Sequence, residues 1–499
     1  MKIGHDKMLV YIIAIIAATG GLLFGFDTGV VSGAIPFFQK DFGIDNNMIE
    51  LVTSVGLLGA ILGALFCGKI TDQLGRKKVI LASAVIFVVG AIWSGIAFDV
   101  WNLILARLFL GIAIGVSSFA VPLYIAEISP AKLRGRLVSM FQLMVTIGVL
   151  VSYLSDLFFA DENNPSCWRP MFYVGVIPAC VLLVGMIFMP ETPLRNGFPH
   201  YGTLLVGMIF MPETPRWLMS QGRWNESENV LNKIEGIEQA KISMQQMQEE
   251  MKKKEEVEKS SWRELLQPWL RPPLFICIGI MFFQQFVGIN TVIYYSPKIF
   301  LMVGFEGTVA AIWASVGVGL VNVIFTVVSV YFVDRLGRRK LYFIGLFGIT
   351  VSLLLLGVCF WVSNQLGDSV KWLAIMLIFC YVAFFAISIG PLGWLIISEI
   401  FPLKLRGLGV SLGSLSVWLF NSLVSFTFFK IVKILTIPGK EILLEGENLG
   451  NPAGAFWFYA GIAFLALIWG YFYIPETKGI SLEQIESFWR MRKSLHELK

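Results

Sequence analysis

The sequence predicts an all-α integral membrane protein whose twelve transmembrane helices form two pseudo-symmetric six-helix bundles. Of its 499 residues, 56% are hydrophobic and only 15% are charged, whereas a soluble protein carries about 25% charged residues. A transmembrane helix needs about 20 mostly apolar residues, and a membrane β-barrel would show short alternating segments instead. Twelve apolar runs are long enough, near residues 9–38, 48–70, 79–98, 101–126, 137–160, 169–189, 273–300, 307–333, 341–363, 371–400, 407–435 and 453–474.

Basic residues gather in the loops that follow even-numbered helices. The positive-inside rule places those loops and both termini in the cytoplasm, so we expect a multi-pass protein of the plasma membrane, with a bacterial inner membrane favoured. Because these short loops lie between spans, the basic clusters indicate a lipid bilayer as partner and no nucleic acid. The clusters are Lys69, Arg76, Lys77 and Lys78; Lys132, Arg134 and Arg136; Arg335, Arg338, Arg339 and Lys340; and Lys404 and Arg406.

The cysteines and histidines, which often act in catalysis or bind metals, lie at positions that suit neither role. The six cysteines lack metal-ligand spacing, and five lie in or beside apolar segments, where cysteine is typically a packing residue. His5, His200 and His496 lie outside the spans, which argues against an intramembrane metal held by histidine. The apolar run after Lys7 has no small-residue cleavage site and predicts a retained first helix. We therefore predict neither an enzyme nor a cofactor.

The two halves of the chain repeat short motifs in the same order. GKITDQLGRKK (68–78) resembles VYFVDRLGRRK (330–340), and AEISPAKLRGR (126–136) resembles SEIFPLKLRGL (398–408). Such repeats are typical of transporters that build a central site between two bundles. The charged stretch between the halves is expected to be a solvated linker with short helices, and a gating role is the alternative. The predicted units are an N-terminal bundle at 1–190, a cytoplasmic linker at 191–271, a C-terminal bundle at 272–476 and a cytoplasmic tail at 477–499.

Eight motifs run through nearly the whole chain: GGLLFGFDTGVVSG (20–33), DQLGRKK (72–78), VPLYIAEISPAKLRGR (121–136), PETPRWL (212–218), QQFVGINTVIYY (284–295), DRLGRRK (334–340), GPLGWLIISEIFPLKLRG (390–407) and PETKG (475–479). On these motifs the chain resembles the sugar porter family of the major facilitator superfamily. It is similar to bacterial xylose, galactose and arabinose symporters and to glucose facilitators. The resemblance implies the major facilitator fold, transport of a monosaccharide by alternating access, and function as a monomer.

A duplicated segment departs from the family pattern. LLVGMIFMPETP occurs at 182–193 and again at 204–215, an offset of 22 residues (204 − 182), whereas the family has one PETPRWL after its sixth helix. The second apolar octet is too short to span a bilayer. Either copy could complete helix six, which would leave the other copy in an insert on the cytoplasmic side.

Helix seven carries three amide side chains within seven residues, Gln284, Gln285 and Asn290. Amides donate and accept hydrogen bonds without charge, as sugar hydroxyls require, and an aromatic ring such as that of Tyr294 can cover sugar C–H groups. Gly288 permits a break in the helix, and transporters place substrate at broken helices near the membrane midplane. We predict a sugar site here, and polar contacts between helices are the alternative.

The resemblance implies further sugar-binding residues on other helices, although a single aromatic residue more often packs than binds. Val417 stands where many relatives carry Asn or Gln, so the sugar specificity of relatives does not transfer directly. The implied residues are Phe24, Gln142, Asn322, Trp394, Trp418 and Asn421.

Asp27 is a carboxylate inside the apolar first helix, where an ionisable group is costly and is typically functional. The resemblance pairs Asp27 with Arg107 of helix four. It also implies proton coupling, because passive facilitators carry a neutral residue at the Asp27 position. Ionised Asp27 would pair with Arg107, and protonated Asp27 would release it and change how helices one and four pack. A structural ion pair is the alternative.

The resemblance also implies a cytoplasmic salt-bridge network. Its charges would hold the two bundles together in the outward-open state and separate in the inward-open state, although exposed pairs alone contribute little. Val330 replaces the leading glycine of the second motif copy, which concerns helix packing and not the charges. The network residues are Asp72, Arg76, Glu127, Arg134, Arg136, Asp334, Arg338, Glu399 and Arg406.

Together these observations predict a secondary active transporter that takes up a hexose or pentose with protons. A proton-independent sugar uniporter is the nearest alternative, and the behaviour of Asp27 separates the two. A non-transporting sugar sensor is a further alternative, which the short tail after Glu476 disfavours. Drug export is disfavoured by the amide-rich helix seven.

Overall fold

A computed structural model describes residues 5–129, 134–188, 213–235, 240, 243–245, 262–366, 368–402, 405–444, 447–478 and 482–491. The N-terminal half contains α1 (His5–Phe42), α2 (Asn46–Leu74), α3 (Arg76–Ile96), α4 (Val100–Ile128), α5 (Arg134–Phe159), α6 (Trp168–Val174) and α7 (Val176–Phe188), with a 3-10 turn at Pro165–Cys167. The predicted linker contains α8 (Pro215–Ser220), α9 (Trp224–Glu235) and a 3-10 turn at Trp262–Leu266.

The C-terminal half has the same plan. It contains α10 (Arg271–Phe286), α11 (Ile289–Val303), α12 (Thr308–Leu336), α13 (Arg338–Leu366), α14 (Asp368–Ile387), α15 (Ile389–Ile400), α16 (Arg406–Ile434), β1 (Ile442–Leu444), β2 (Glu447–Gly450), α17 (Ala453–Tyr473) and the tail helix α18 (Leu482–Arg490). The antiparallel β1–β2 hairpin between the last two spans was not predicted.

The prediction of twelve membrane spans is confirmed. In the described part of the chain, twelve spans are long and apolar enough to cross a membrane. The sixth combines α6 with α7, the seventh α10 with α11, and the tenth α14 with α15. Large apolar side chains such as Phe66 (58% exposed), Phe347 (65%) and Phe464 (54%) point outwards, as expected for a surface that a bilayer covers.

Two spans are broken in the middle. The predicted break at Gly288 is confirmed, because this residue has a φ of +87° in the left-handed region that favours glycine. The break in the tenth span was not predicted. It falls at Ser388, whose φ of −123° and ψ of −106° interrupt the helix, just before Gly390 and Pro391. Each break leaves backbone carbonyl groups that need partners inside the bundle.

Close helix packing in the N-terminal half rests on small residues. A Cβ added to Gly25 of α1 would lie 1.9 Å from the Val145 carbonyl oxygen of α5, and one added to Gly111 of α4 would lie 1.9 Å from the Gly56 carbonyl oxygen of α2. Glycine therefore lets the two backbones of each pair touch. In a bilayer this contact replaces hydrophobic burial as the force that holds helices together.

The two ends of the molecule differ, and we call them the basic end and the opposite end. The basic end carries the turns at Gly75 and Gly337 and the arginines and lysines that follow them. The opposite end carries the turns at Gly43 and Gly304 and the β-hairpin. The halves meet along α2 with α16, α5 with α12 and α1 with α11.

Candidate substrate and proton site

Asp27 and Arg107 form an ion pair inside the N-terminal half. The Arg107 guanidinium donates to the Asp27 carboxylate, and both residues are buried, with 7% and 2% of their surfaces exposed. Gly56 of α2 makes room for the arginine, since a Cβ there would lie 3.2 Å from its Nη2. Removing one member of such a pair leaves an uncompensated buried charge, which is strongly destabilising.

Tyr294 connects this ion pair with the C-terminal half. It is fully enclosed on α11, and its hydroxyl meets the side chains of Thr28 on α1 and Asn421 on α16. The same tyrosine lies within electrostatic range of Asp27 and Arg107. A change at the ion pair can therefore reach Asn421 through a single side chain.

The three amides of the seventh span form a hydrogen-bonded chain. Asn290 Nδ2 donates to Gln285 Oε1 over 2.5 Å, and Gln285 Nε2 donates to Gln284 Oε1 over 3.1 Å. Gln284 Nε2 then donates to the carbonyls of Ile389 (3.0 Å) and Gly390 (2.7 Å). The chain thus joins the break in the seventh span to the break in the tenth span, and the half-buried Asn290 is its free end.

Two aromatic residues meet across the halves. The ring centroids of Phe24 on α1 and Trp418 on α16 are 4.9 Å apart, with an interplanar angle of 58°. Trp418 Nε1 also donates to Ser118 Oγ of α4 over 3.3 Å. Val417 beside it is buried and apolar.

The other implied sugar ligands lie on separate helices. Gln142 of α5 and Trp394 of α15 are half-buried, and Asn322 of α12 is buried. Among the described side-chain hydrogen bonds and ring contacts, none joins these three to the amide chain or to the ion pair.

At the basic end, the arginines of the two repeated motifs make polar contacts within their own half of the molecule. In the N-terminal half, Arg76 contacts Asp72 (3.2 Å) and Glu127 (3.2 Å). The Thr214 hydroxyl also donates to Glu127. Glu213 accepts from the backbone N–H of Lys77 at the start of α3, over 3.1 Å. A carboxylate suits the exposed N–H groups and the positive dipole end of a helix.

The C-terminal half repeats this arrangement. Arg338 contacts Glu399 over 2.8 Å, and the Thr477 hydroxyl donates to Glu399 over 2.5 Å. Glu476 accepts from the backbone N–H groups of Arg338 (3.0 Å) and Arg339 (3.1 Å) at the start of α13. The repeated PET motif therefore caps the third and the ninth span. The side chains of Arg134, Arg136, Asp334 and Arg406 lie outside the described residues.

The duplicated segment is divided between two roles. Residues 182–188 of the first apolar octet complete the sixth span as part of α7, and the second PET provides Glu213 and Thr214. The remainder of both copies lies outside the described residues. Burial raises the pKa of Glu213 above its ordinary value, while the N–H groups and charges of Lys77 and its neighbours oppose this shift.

Contacts between the halves concentrate at the opposite end. Glu50 of α2 accepts from the backbone N–H of Phe429 on α16 over 2.7 Å and lies 3.0 Å from Lys430 Nζ. Lys298 donates to Asn46 over 2.5 Å, and the Tyr153 hydroxyl donates to the Ile293 carbonyl over 2.7 Å. In contrast, the described ion pairs of the basic end each stay within one half. The opposite end is therefore the closed one.

Sequence reasoning did not find several polar residues at these contacts. Thr28 and Ser118 are lone hydroxyls in apolar helices and carry no recognisable signal. Glu50 is a carboxylate inside a predicted span, and the argument that singled out Asp27 applies to it equally. Lys298 could have been found in the same way.

This fold and this site define a class: a polytopic membrane transporter with two repeated six-helix bundles, a buried ion pair in the first bundle and a hydrogen-bonded chain of amides at the helix breaks of the second. The family described as "Sugar (and other) transporter" matches residues 13–194 and 198–489. The chain belongs to this family, the sugar porters of the major facilitator superfamily.

Known relatives cover almost the full length. The chain is 34% identical to the galactose-proton symporter of Escherichia coli (strain K12), across 99% of this chain and 97% of the relative. It is 36% identical to the D-xylose transporter of Levilactobacillus brevis, across 95% and 94%. The solved structure of the proton:xylose symporter XylE bound to 6-bromo-6-deoxy-D-glucose superposes with a TM-score of 0.76 at 30% identity, covering 97% of this chain and all of that one (100%).

Proposed function

We propose that this protein moves a monosaccharide, a hexose or a pentose, across the membrane together with a proton by alternating access. The observation that carries the proposal is the buried Asp27–Arg107 pair beside Tyr294, which also meets Asn421. The two relatives above are named for galactose with a proton and for D-xylose, which supports the substrate class and the coupling.

The proposed sugar site uses neutral groups. Asn290 and Gln285 provide amides that can exchange their mutual hydrogen bond for bonds to sugar hydroxyls. The rings of Phe24 and Trp418 suit the C–H face of a sugar ring. Gln142, Asn322, Trp394 and Asn421 are proposed to complete the site from the surrounding helices.

The proposed proton step uses the ion pair as a two-state element. Ionised Asp27 holds Arg107, and protonation of Asp27 removes that attraction and frees the arginine to move. Because Tyr294 touches both the pair's surroundings and Asn421, sugar and proton would stabilise the same rearrangement. A ligand shifts a conformational equilibrium only by its differential affinity for the two states, so this shared contact is what couples the two substrates.

We further propose that the basic end and both termini face the cytoplasm of a bacterial cell, following the distribution of basic loops. With the opposite end closed, the described conformation is then the inward-facing one. In this proposal the bundles comprise residues 1–190 and 272–476, joined by a linker at 191–271 and followed by a tail at 477–499.

Sugar-induced proton movement in proteoliposomes tests the proposal. Xylose, glucose, galactose and arabinose would be added in turn to lightly buffered vesicles, and the external pH followed. We expect external alkalinisation with at least one sugar, which would also identify the substrate. Sugar flux without any proton movement would favour a uniporter, and no flux with any sugar would contradict the proposal.

A further inference from the structure

Asp156 of α5 is another carboxyl group buried in the N-terminal half, besides Asp27 and Glu50. It has 0% of its surface exposed, and in the described part of the chain no side chain donates a hydrogen bond to either carboxylate oxygen, the backbone N–H of Gly33 being the one donor beside them. The carboxyl packs against Gly33 of α1, where an added Cβ would lie 2.3 Å from its Oδ2. Only glycine at position 33 leaves room for this side chain.

Among the residues that the structure describes, the groups that face Asp156 bring no positive charge. Its own helix presents Tyr153, the 3-10 turn presents Cys167, and α1 presents the backbone of Gly33. From the C-terminal half, Gly319 of α12 packs on Tyr153. Phenol and thiol groups are ordinarily uncharged near neutral pH. Asp161, in the loop beyond α5, also faces Cys167 and would oppose a further negative charge.

An ionised carboxylate in such surroundings is expensive. Burying an unpaired charge costs several kcal/mol even after the protein relaxes, whereas a neutral acid costs only the loss of hydrogen bonds to water. The protonated, neutral form of Asp156 is therefore the form that suits this conformation.

Asp156 lies close to residues of α1 and α5 that contact α11 and so help to close the opposite end. Ser32, next to Gly33, lies 3.3 Å from Ser296 of α11, measured between their hydroxyl oxygens. Tyr153, one helical turn before Asp156, donates to the Ile293 carbonyl of α11 over 2.7 Å. Separating α1 and α5 from α11 would open this region to water, where an ionised Asp156 is well solvated.

We propose that Asp156 is a second proton-binding site, and that the proton it holds favours closure of the opposite end. The proton enters and leaves through the opposite end in each cycle, so it does not add to the protons that cross with the sugar. Asp156 would instead make the rate of closure depend on the pH at that side. This inference rests on the proposed function only in requiring that the opposite end opens.

Accessibility of the closed contact tests the site directly. Ser296→Cys places a thiol at the buried contact, and a membrane-impermeant maleimide added at the opposite end reports opening; the parent protein measures background labelling. Thiols react faster as pH rises, so each rate is divided by that of a free thiol at the same pH. We expect the corrected rate to fall several-fold from weakly alkaline to weakly acidic pH. In the Asp156→Asn background the corrected rate should be low and independent of pH.

An unchanged pH response in the Asp156→Asn background would overturn the inference.

Infrared spectroscopy gives a second readout that does not need transport. The carbonyl band of a protonated carboxylic acid should disappear in Asp156→Asn. If the asparagine variant does not fold, Asp156→Ser replaces it. The band should persist in the matched Asp161→Asn control. A spectrum in which neither Asp156 variant loses such a band would also overturn it. Proton-coupled sugar flux in the same vesicles separates this outcome from failure of the proposed function, because Asp156→Asn should keep the proton-to-sugar ratio of the parent protein.

Discussion

At the residue scale, the three amides of the seventh span are not equivalent. Gln284 gives both of its described donor contacts to the carbonyls of Ile389 and Gly390 at the break in the tenth span. A buried carbonyl without a partner is costly, so this amide stabilises the break. Asn290 lies at the other end of the hydrogen-bonded row of three amides. Its one described side-chain partner is Gln285, so it is the amide most available to a substrate.

This division predicts different defects for two truncations. Asn290→Ala should raise the KM for sugar about 3- to 10-fold with little change in thermal stability, because one hydrogen bond to a neutral ligand contributes about 0.5–1.5 kcal/mol. Gln284→Ala should lower the Tm of the purified protein, since it leaves two buried carbonyls unpaired. Transport kinetics and thermal unfolding would be measured on both variants. Equal losses of Tm in the two would contradict the assignment.

Asp27 could be singled out from the sequence because it is a carboxylate inside an apolar segment, and its pairing with Arg107 was implied by the family resemblance. The structure contains this ion pair and places the amide cluster at a helix break, while the roles of these residues in transport stay predictions. The direct contact of Gln284 with the tenth span could not be predicted, because the apolar run from 371 to 400 hides the break at Ser388. Hydroxyl partners such as Ser118 were equally hidden, since serine is common in membrane helices.

At the element scale, Glu50 fastens α2 to α16. Its carboxylate accepts from the Phe429 N–H, and the Ser425 carbonyl, the usual helical acceptor of that N–H, accepts from the Tyr295 hydroxyl over 2.9 Å. Both members of one helical hydrogen-bond pair thus have partners on other helices. Glu50 is fully buried and belongs to the other half of the molecule, so the opposite end cannot open without breaking its contact.

Removing this contact should favour opening. Glu50→Ala leaves the Phe429 N–H without its partner, and we expect several-fold faster labelling of Ser296→Cys by an impermeant maleimide. Glu50→Gln is the control: its amide oxygen can still accept from the Phe429 N–H, so it should change labelling much less than Glu50→Ala. Unchanged labelling in Glu50→Ala, or an equal increase in both variants, would refute the role assigned to Glu50.

The cap formed by Glu213 gives a stability effect with a definite sign. Burial raises its pKa above the ordinary value of 4.5, so the folded protein binds this proton more tightly than the unfolded chain. The free energy of unfolding therefore falls as pH rises from the ordinary value through the raised one. Glu213→Gln keeps an acceptor for the Lys77 N–H but does not ionise. Its Tm should decline less than that of the parent protein over this range.

Glu226 on α9 is a control of opposite sign. Its hydrogen bond from Arg223 lowers its pKa. Ionised Glu226 therefore adds a small amount to the free energy of unfolding, which is present above the ordinary carboxyl pKa and is lost as the pH falls through the lowered pKa. Glu226→Gln should leave the decline of Tm with rising pH as it is in the parent protein. If the Tm of Glu213→Gln declined with rising pH as steeply as that of the parent protein, the role assigned to Glu213 would be wrong.

At the scale of the whole molecule, the two halves use their repeats for the same purpose. After the last span, Tyr473 is followed by Ile474, Pro475 and the capping Glu476. Deleting residues 190–211 would give the sequence Phe188, Met189, Pro212 and Glu213, which reproduces that spacing. We therefore expect the deletion variant to fold and transport like the full chain. A clear loss of Tm or of sugar flux would show that the duplicated segment contributes to the structure.

Twelve spans, two bundles and the family were all available from the sequence, because hydropathy and repeated motifs are properties of the chain itself. The closed state of the opposite end was not, since it depends on contacts such as those of Glu50 and Tyr153 between residues far apart in sequence. The β-hairpin was missed because its short strands carry no distinctive pattern.

The central claim is that one carboxyl group, Asp27, links sugar movement to the proton gradient. Its most direct test compares concentrative sugar uptake driven by a pH gradient with sugar exchange between equilibrated compartments, in the parent protein and in Asp27→Asn. We predict that the variant retains exchange and loses concentrative uptake, because the neutral amide mimics the protonated state permanently. Concentrative uptake that persists in Asp27→Asn would contradict the claim, as would loss of both activities in a variant that is well folded.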